Sequence, residues 1–166
     1  MSEIVFDATS ETDTQRLGMA LAESVTGGTV VALCGTLGAG KTRLVQAVAA
    51  ACGIDRQQVT SPTFVLCQTY RGKRTIHHFD VYRLKDEQEF LELGPDEYFE
   101  SDALSLVEWA EKVEELLPPG CLQIEIEVTG PTQRRFTLRT DDRGLQTVLE
   151  QITARLAAAR HEPPVP

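Results

Sequence analysis

The chain contains no asparagine at all, and that absence removes the N-K-x-D element with which one large class of nucleotide-binding proteins reads guanine. Cysteine is sparse and scattered. Cys34, Cys52, Cys67 and Cys121 form no C-x-x-C pair, which excludes zinc-site spacing and a disulfide framework and predicts reduced, mostly buried thiols. No stretch approaches the roughly 18 uninterrupted apolar residues of a membrane span, and Met1–Phe6 has neither the basic segment nor the apolar run of a secretory signal. A cytoplasmic location with no membrane association is the expectation. Basic charge is also short: 16 Lys and Arg stand against 25 Asp and Glu, for a formal net charge of −9. A domain built to grip a phosphate backbone usually carries a basic excess, because neutralised phosphates supply non-specific affinity, so tight direct nucleic-acid binding is disfavoured. Internal repeats and interdomain linkers are missing as well.

What remains is an ordinary globular composition, 42% hydrophobic and 25% charged with a mean hydropathy of −0.17 over 166 residues. It predicts a single domain over residues 1–160, followed by a Pro-rich tail, 161–166, expected to be disordered. After a short strand at Ile4–Phe6, Ser10-Glu11-Thr12-Asp13 reads as a capped helix start, and Gly27-Gly28 ends the helix. Thr29–Cys34 is β-branched and wholly apolar through Val30-Val31-Ala32-Leu33, the mark of a strand covered on both faces and hence of an α/β fold. Lys41–Cys52 has helical spacing at Leu44, Val45 and Val48. Phe64–Tyr70 and Thr75–Val81 read as a hairpin around Arg71-Gly72-Lys73-Arg74. Asp86–Leu93 predicts a helix, Ala103–Val107 a buried strand, and Ala110–Leu117 a short acidic helix. Leu122–Val128 and Arg134–Thr140 alternate as a second hairpin, and Gly144–Arg160 predicts an amphipathic C-terminal helix.

Between the buried strand and the second helix lies Gly35-Thr36-Leu37-Gly38-Ala39-Gly40-Lys41-Thr42, which satisfies G-x-x-x-x-G-K-[ST] in the setting that motif requires. Small residues let backbone N–H groups wrap an anion, and the following helix adds partial positive charge at its N-terminus. Lys41 is placed to reach the β- and γ-phosphates of a nucleoside triphosphate, and the Thr42 hydroxyl to ligate Mg²⁺. Two acids at strand ends are candidates for holding the metal or positioning water. Glu108 follows Leu104-Ser105-Leu106-Val107, and Asp80 closes Ile76-His77-His78-Phe79; in open α/β sheets ligands gather at such carboxyl ends. His77 and His78 are adjacent on a strand, point to opposite faces and cannot share one metal; both read as packed or solvated histidines. Asp141-Asp142-Arg143-Gly144 has D-x-x-G spacing but falls in a late turn. With no asparagine for guanine, ATP is the expected nucleotide.

These blocks, together with Ser61-Pro62-Thr63-Phe64, His78-Phe79-Asp80-Val81-Tyr82-Arg83-Leu84 and Val107-Glu108-Trp109, resemble the TsaE (YjeE) family. That family is the small ATPase of the bacterial pathway making threonylcarbamoyladenosine at position 37 of tRNAs. The likeness covers about residues 5–140. It implies a three-layer P-loop α/β domain with a mixed, mainly parallel central sheet and antiparallel hairpins. It also implies ATP as substrate and Mg²⁺ as cofactor, with Gly35, Leu37, Gly38, Ala39, Gly40, Lys41 and Thr42 around the phosphates. Glu108, and Asp80 as an essential acid, would join Thr42 at the metal, with Lys41, Asp80 and Glu108 serving catalysis. Ser61-Pro62-Thr63 would form a switch-like loop near the γ-phosphate, and Trp109 would lie close to the nucleotide. Ser10 and Glu11 would approach the adenine, and Arg134 or Arg135 the nucleotide. The partners implied are a TsaD-like transferase and a TsaB-like scaffold, with little direct tRNA contact by this chain. Two positions depart from the family: Ala110 stands where proline is common, and Thr36 where an acid is common.

Two rival readings stay open at this level. One is an ATP-operated protein-binding module in which hydrolysis is incidental. The other is a small-molecule kinase, for which Arg71, Lys73 and Arg74 would have to act as a phosphate-clamping lid.

Overall fold

The computed structural model describes residues 1–160; the expectation for the tail 161–166 falls outside them. In chain order the elements are β1 (Ser2–Ala8), α1 (Glu11–Ser24), β2 (Val30–Gly35), α2 (Lys41–Ala51), β3 (Cys67–Arg71), β4 (Thr75–Asp80), α3 (Glu87–Glu92), α4 (Pro95–Phe99), β5 (Leu104–Glu108), β6 (Leu122–Val128), β7 (Arg134–Thr140) and α5 (Arg143–Ala159). The strands form one sheet in the order β1-β7-β6-β2-β5-β4-β3. The pairs β2–β5, β2–β6 and β4–β5 are parallel, while β1–β7, β6–β7 and β3–β4 are antiparallel. Followed across the sheet, those pairings leave β1, β2, β4, β5 and β6 running one way and only β3 and β7 the other. The sheet is therefore mixed and mainly parallel in direction.

The two-residue alternation of β2 divides the core. Val31 and Leu33 pack with Leu104, Leu106, Ile124 and Phe136 beneath α1, α2 and α5. Val30 and Ala32 face the other way, with Phe79 and Val107, onto Phe90, Phe99 and Val113. Three layers result. On the second face β1, β7 and β6 remain wet, where Asp7 pairs with Arg135, Glu3 with Arg139 and Arg139 with Glu125.

Helix α1 starts where Ser10 Oγ accepts the Asp13 N–H at 3.4 Å and ends as Val25 turns extended ahead of the glycine pair. Its contact with α2 is close enough that only glycine fits at position 18. A Cβ there would sit 2.4 Å from the Ala47 Cβ and 2.8 Å from the Ala47 carbonyl carbon. Gly18→Ala is expected to cost about 1–3 kcal/mol through overpacking, read as a lower urea midpoint at unchanged slope. A midpoint equal to wild type would contradict this packing. The contact matters to the site because α2 carries Lys41 and Thr42 on its first turn.

Several boundaries differ from the sequence reading. The expected strand Phe64–Tyr70 begins only at Cys67. The Pro62 carbonyl accepts the Leu66 N–H at 2.7 Å, closing a turn that leaves Leu66 at φ 65 and Phe64 84% exposed, with the Arg83 guanidinium 4.7 Å from its ring centroid. The expected helix Ala110–Leu117 is two 3-10 turns, Ala110–Lys112 and Glu114–Leu116, because buried Val113 interrupts it at φ −131. A further 3-10 turn at Arg56–Gln58 and the short helix α4 were not anticipated. All four cysteines are unpaired. Burial pushes the Cys34 thiol up to about 12, with Glu111 adding to it, and Cys67 to about 11, so neither is a ready nucleophile.

Candidate functional site

Parallel neighbours β2, β5 and β4 bring three chain segments to one edge of the sheet. Residues 35–42 leave the end of β2, and the register pairs Asp80 with Glu108 at the tips of β4 and β5. Helix α2 begins at Gly40, whose φ of 109 no β-carbon-bearing residue adopts comfortably. Helices α1, α3 and α5 have N-termini closed by the side chains of Ser10, Asp86 and Asp142. Gly40 offers α2 no such cap. The first N–H groups of α2 thus keep their capacity for an anion.

Lys41 is buried, and its Nζ donates to the carbonyls of Gly35 at 2.6 Å and Thr36 at 3.0 Å. The same ammonium stands 3.7 Å from the centroid of the Trp109 ring. Burial pulls its pKa below the usual lysine value, while Glu108, Glu111 and Asp80 oppose that shift. Trp109 itself adopts φ 61 directly after β5, one of two non-glycine residues with positive φ among those described. Strain of this kind gathers at functional sites. The Tyr82 ring lies against Trp109, with centroids 4.7 Å apart.

The carboxylates are held by different partners. Glu108, 2% exposed, accepts from the Thr42 hydroxyl at 2.8 Å on one oxygen and 3.0 Å on the other, and meets His78 Nε2 at 2.7 Å. Asp80 accepts the Tyr82 N–H at 3.0 Å on Oδ1, while its Oδ2 accepts from Ser61 Oγ and, at 3.4 Å, from Thr63 Oγ1. The Ser61–Thr63 loop is thereby tied to Asp80 by two hydroxyls. Because Thr42 spends its proton on Glu108, the lone pairs of its oxygen stay free. The Thr42 hydroxyl against Glu108, with Asp80 lining the same cavity, is a set of hard oxygen donors, which suits Mg²⁺ shared with phosphate oxygens. The residues present fit that ion.

Two adjoining cavities meet over the loop. One of about 270 Å³ is lined by Ser10, Glu11, Arg43, Thr132, Arg134 and Phe136. The other, about 450 Å³, is lined by Leu37, Lys41, Thr42, Thr63, Asp80, Glu108 and Trp109, and Gly38, Ala39 and Gly40 border both. The candidate residues from the sequence therefore line one or the other, except Gly35, Pro62 and Arg135. The Gly35 carbonyl accepts a hydrogen bond from Lys41 Nζ. Arg134 donates from Nε to the Ala39 carbonyl at 2.8 Å, whereas Arg135 is paired with Asp7 on the outer face, away from the loop. Glu11 forms ion pairs with Arg43 and Arg56 at 3.3 and 2.8 Å.

Sequence reasoning missed two participants. Arg43 borders both cavities, and its only signal was its place beside Lys41-Thr42. His78 is fully buried against Glu108, and its signal was its spacing two residues before Asp80 on the same strand face. His77 does point the opposite way. It shares hydrogen bonds with Thr69 Oγ1 and Ser101 Oγ, and burial lowers its pKa, with Arg71 contributing. The lid that a kinase would need is not at this edge. Arg71, Lys73 and Arg74 sit at the opposite end of β4, where Arg74 donates to the carbonyls of Ala22 and Val25.

A sequence model described as "Threonylcarbamoyl adenosine biosynthesis protein TsaE" matches residues 8–136. The tRNA threonylcarbamoyladenosine biosynthesis protein TsaE of Treponema pallidum is 36% identical over 129 residues, covering 78% of this chain and 95% of that one. The Bacillus subtilis protein of the same name is 36% identical over 154 residues, covering 92% and 96%. The crystal structure of Bacillus subtilis YdiB superposes with a TM-score of 0.78 at 30% identity, covering 92% of this chain and 95% of that one.

Proposed function

The chain belongs to the TsaE family of the threonylcarbamoyladenosine biosynthesis system, and from that premise we propose that it is a Mg²⁺-dependent ATPase supporting modification of tRNA position 37. It would act in the cytoplasm on a partner complex of a TsaD-like transferase and a TsaB-like scaffold. Among the described residues no helix is long and apolar enough to cross a membrane. The observation that supports the reading most is the Thr42–Glu108 hydrogen bond at the foot of an uncapped helix, with Lys41 beside it.

In this reading the triphosphate lies along residues 35–42, and the base enters the cavity lined by Ser10, Glu11 and Arg134. The N–H groups of α2 bind phosphate oxygens, and Lys41 exchanges its two carbonyl acceptors for the β- and γ-phosphates. Mg²⁺, when bound, neutralises charge on those phosphates, with Thr42, Glu108 and Asp80 as the residues that would hold it. Asp80, at the tip of β4 and tied to Ser61 and Thr63, can orient the water that attacks the γ-phosphorus as the bond to the bridging oxygen breaks.

The chain has one tryptophan, and Lys41 lies over it. ATP with Mg²⁺ is therefore expected to change Trp109 emission saturably, with EDTA weakening the response and adenosine giving none; a spectrum indifferent to ATP would contradict the placement. The function itself is tested by measuring phosphate release with and without purified TsaB–TsaD partners. Stimulated release together with tRNA modification is the expected result. Activity unmoved by partners that nevertheless bind in an ATP-dependent way would overturn the ATPase role in favour of a binding module.

A further inference from the structure

Beyond the family reading, we propose that His78 is a positioning residue for the metal site, acting through Glu108 to aim its carboxylate at the Thr42 hydroxyl. The proposal rests on Glu108 belonging to that site. His78 is 0% exposed and lies on β4, with its side chain on the same face as Asp80 and turned toward β5. Its Nε2 is 2.7 Å from Glu108 Oε1, the oxygen that also takes the shorter contact from Thr42, 2.8 Å. A carboxylate only accepts, so Nε2 carries the proton and donates it.

The other ring nitrogen decides what this bond is for. Nδ1 is buried and has no hydrogen-bond partner. The tautomer that fits carries its one proton on Nε2 and leaves a bare lone pair at Nδ1, because a second proton there would bury an unpaired donor. A neutral donor orients Glu108 without cancelling its charge, which leaves the carboxylate available for a cation. With an N–H from His78 on Oε1 and the Thr42 hydroxyl shared between Oε1 and Oε2, the carboxylate is held by two donors on two secondary-structure elements, β4 and α2. Outer partners of this type tune metal affinity by orienting the ligand they touch. Tyr70, with its ring centroid 6.2 Å from that of His78, helps to hold the imidazole in place.

The test compares three substitutions in the full chain. His78→Leu removes the donor. His78→Gln presents an amide N–H at the same reach as Nε2, and His78→Asn falls one atom short. Binding of a fluorescent ATP analogue is titrated with Mg²⁺ and, separately, measured in EDTA. The Mg²⁺ concentration giving half-maximal tightening is expected to rise about tenfold or more in His78→Leu and His78→Asn, and to return to within about threefold of wild type in His78→Gln. Affinity in EDTA should stay within about twofold of wild type in all three, because the donor acts only through the carboxylate. A purely structural histidine would lower the thermal midpoint and leave the Mg²⁺ midpoint in place. If His78→Leu fails to fold, the Gln and Asn pair carries the comparison. A His78→Gln variant shifted as far as His78→Asn would overturn the proposal, as would no shift in any variant. A wild-type protein insensitive to Mg²⁺ would overturn the assignment of Glu108 beneath it, a separate and recognisable failure.

Discussion

Replacing Lys41 by alanine is expected to lower kcat/KM for ATP by about 10²–10³-fold, the scale on which one preorganised electrostatic contact to a reacting group acts. The side chain is buried between the Gly35 and Thr36 carbonyls and the Trp109 face, with Glu108 and Asp80 nearby. Among the described residues Lys41 is the one lysine that lines that cavity. Affinity for ATP should fall as well, because the charge acts on bound phosphates before any bond breaks. Titration calorimetry and phosphate release, run on the same preparation, check both halves. Unchanged ATP affinity would refute the phosphate-loop assignment.

Glu108→Ala should separate binding from chemistry. The loop and Lys41 remain, so ATP affinity in EDTA is expected to change little, while Mg²⁺-dependent turnover drops by about 10²-fold. Some of the loss would reflect structure, since the variant leaves the buried Nε2–H of His78 without its acceptor, at about 1–3 kcal/mol. Glu108→Gln isolates the charge, because an amide oxygen can still accept from His78. Turnover equal to wild type in both variants would move the catalytic role to Asp80, which holds a separate set of hydroxyl partners in Ser61 and Thr63.

Much of this arrangement is legible in the sequence, and the reason is local. The motif Gly35–Thr42 states its own backbone requirements, and the wholly apolar Val30–Leu33 run is what a strand covered on both faces needs. The apolar run ending in Glu108, and the strand ending in Asp80, could be placed at a common edge because parallel strands of one sheet share a carboxyl end. The resemblance added expectations that periodicity could not, namely an adenine side at Ser10 and Glu11 and a switch-like role for the Ser61–Thr63 loop. It also left Arg134 and Arg135 undivided. That choice depends on which face of β7 meets the loop, a one-residue register question settled only by pairing with β1 and β6.

The misreadings have a physical cause in common. Phe64 and Val65 look like strand residues by propensity, yet a Pro62–Leu66 hydrogen bond turns them outward. Ala110–Leu117 carries helix formers, yet Val113 is drawn into the second core and breaks the run. Tertiary contact overrode local preference in both places. His78 was undervalued for a related reason: a lone histidine on a strand says nothing of its partner until β4 and β5 are set side by side.

The central claim is that residues 35–42 hold a triphosphate between Lys41 and the paired tips of β4 and β5. A crystal structure with a non-hydrolysable ATP analogue and Mg²⁺ tests it most directly. Phosphate oxygens are expected within hydrogen-bond distance of Lys41 Nζ and the first N–H groups of α2, with the metal on the Thr42 hydroxyl and facing Glu108. Phosphates seated elsewhere, with Lys41 still bound to the Gly35 and Thr36 carbonyls, would contradict it.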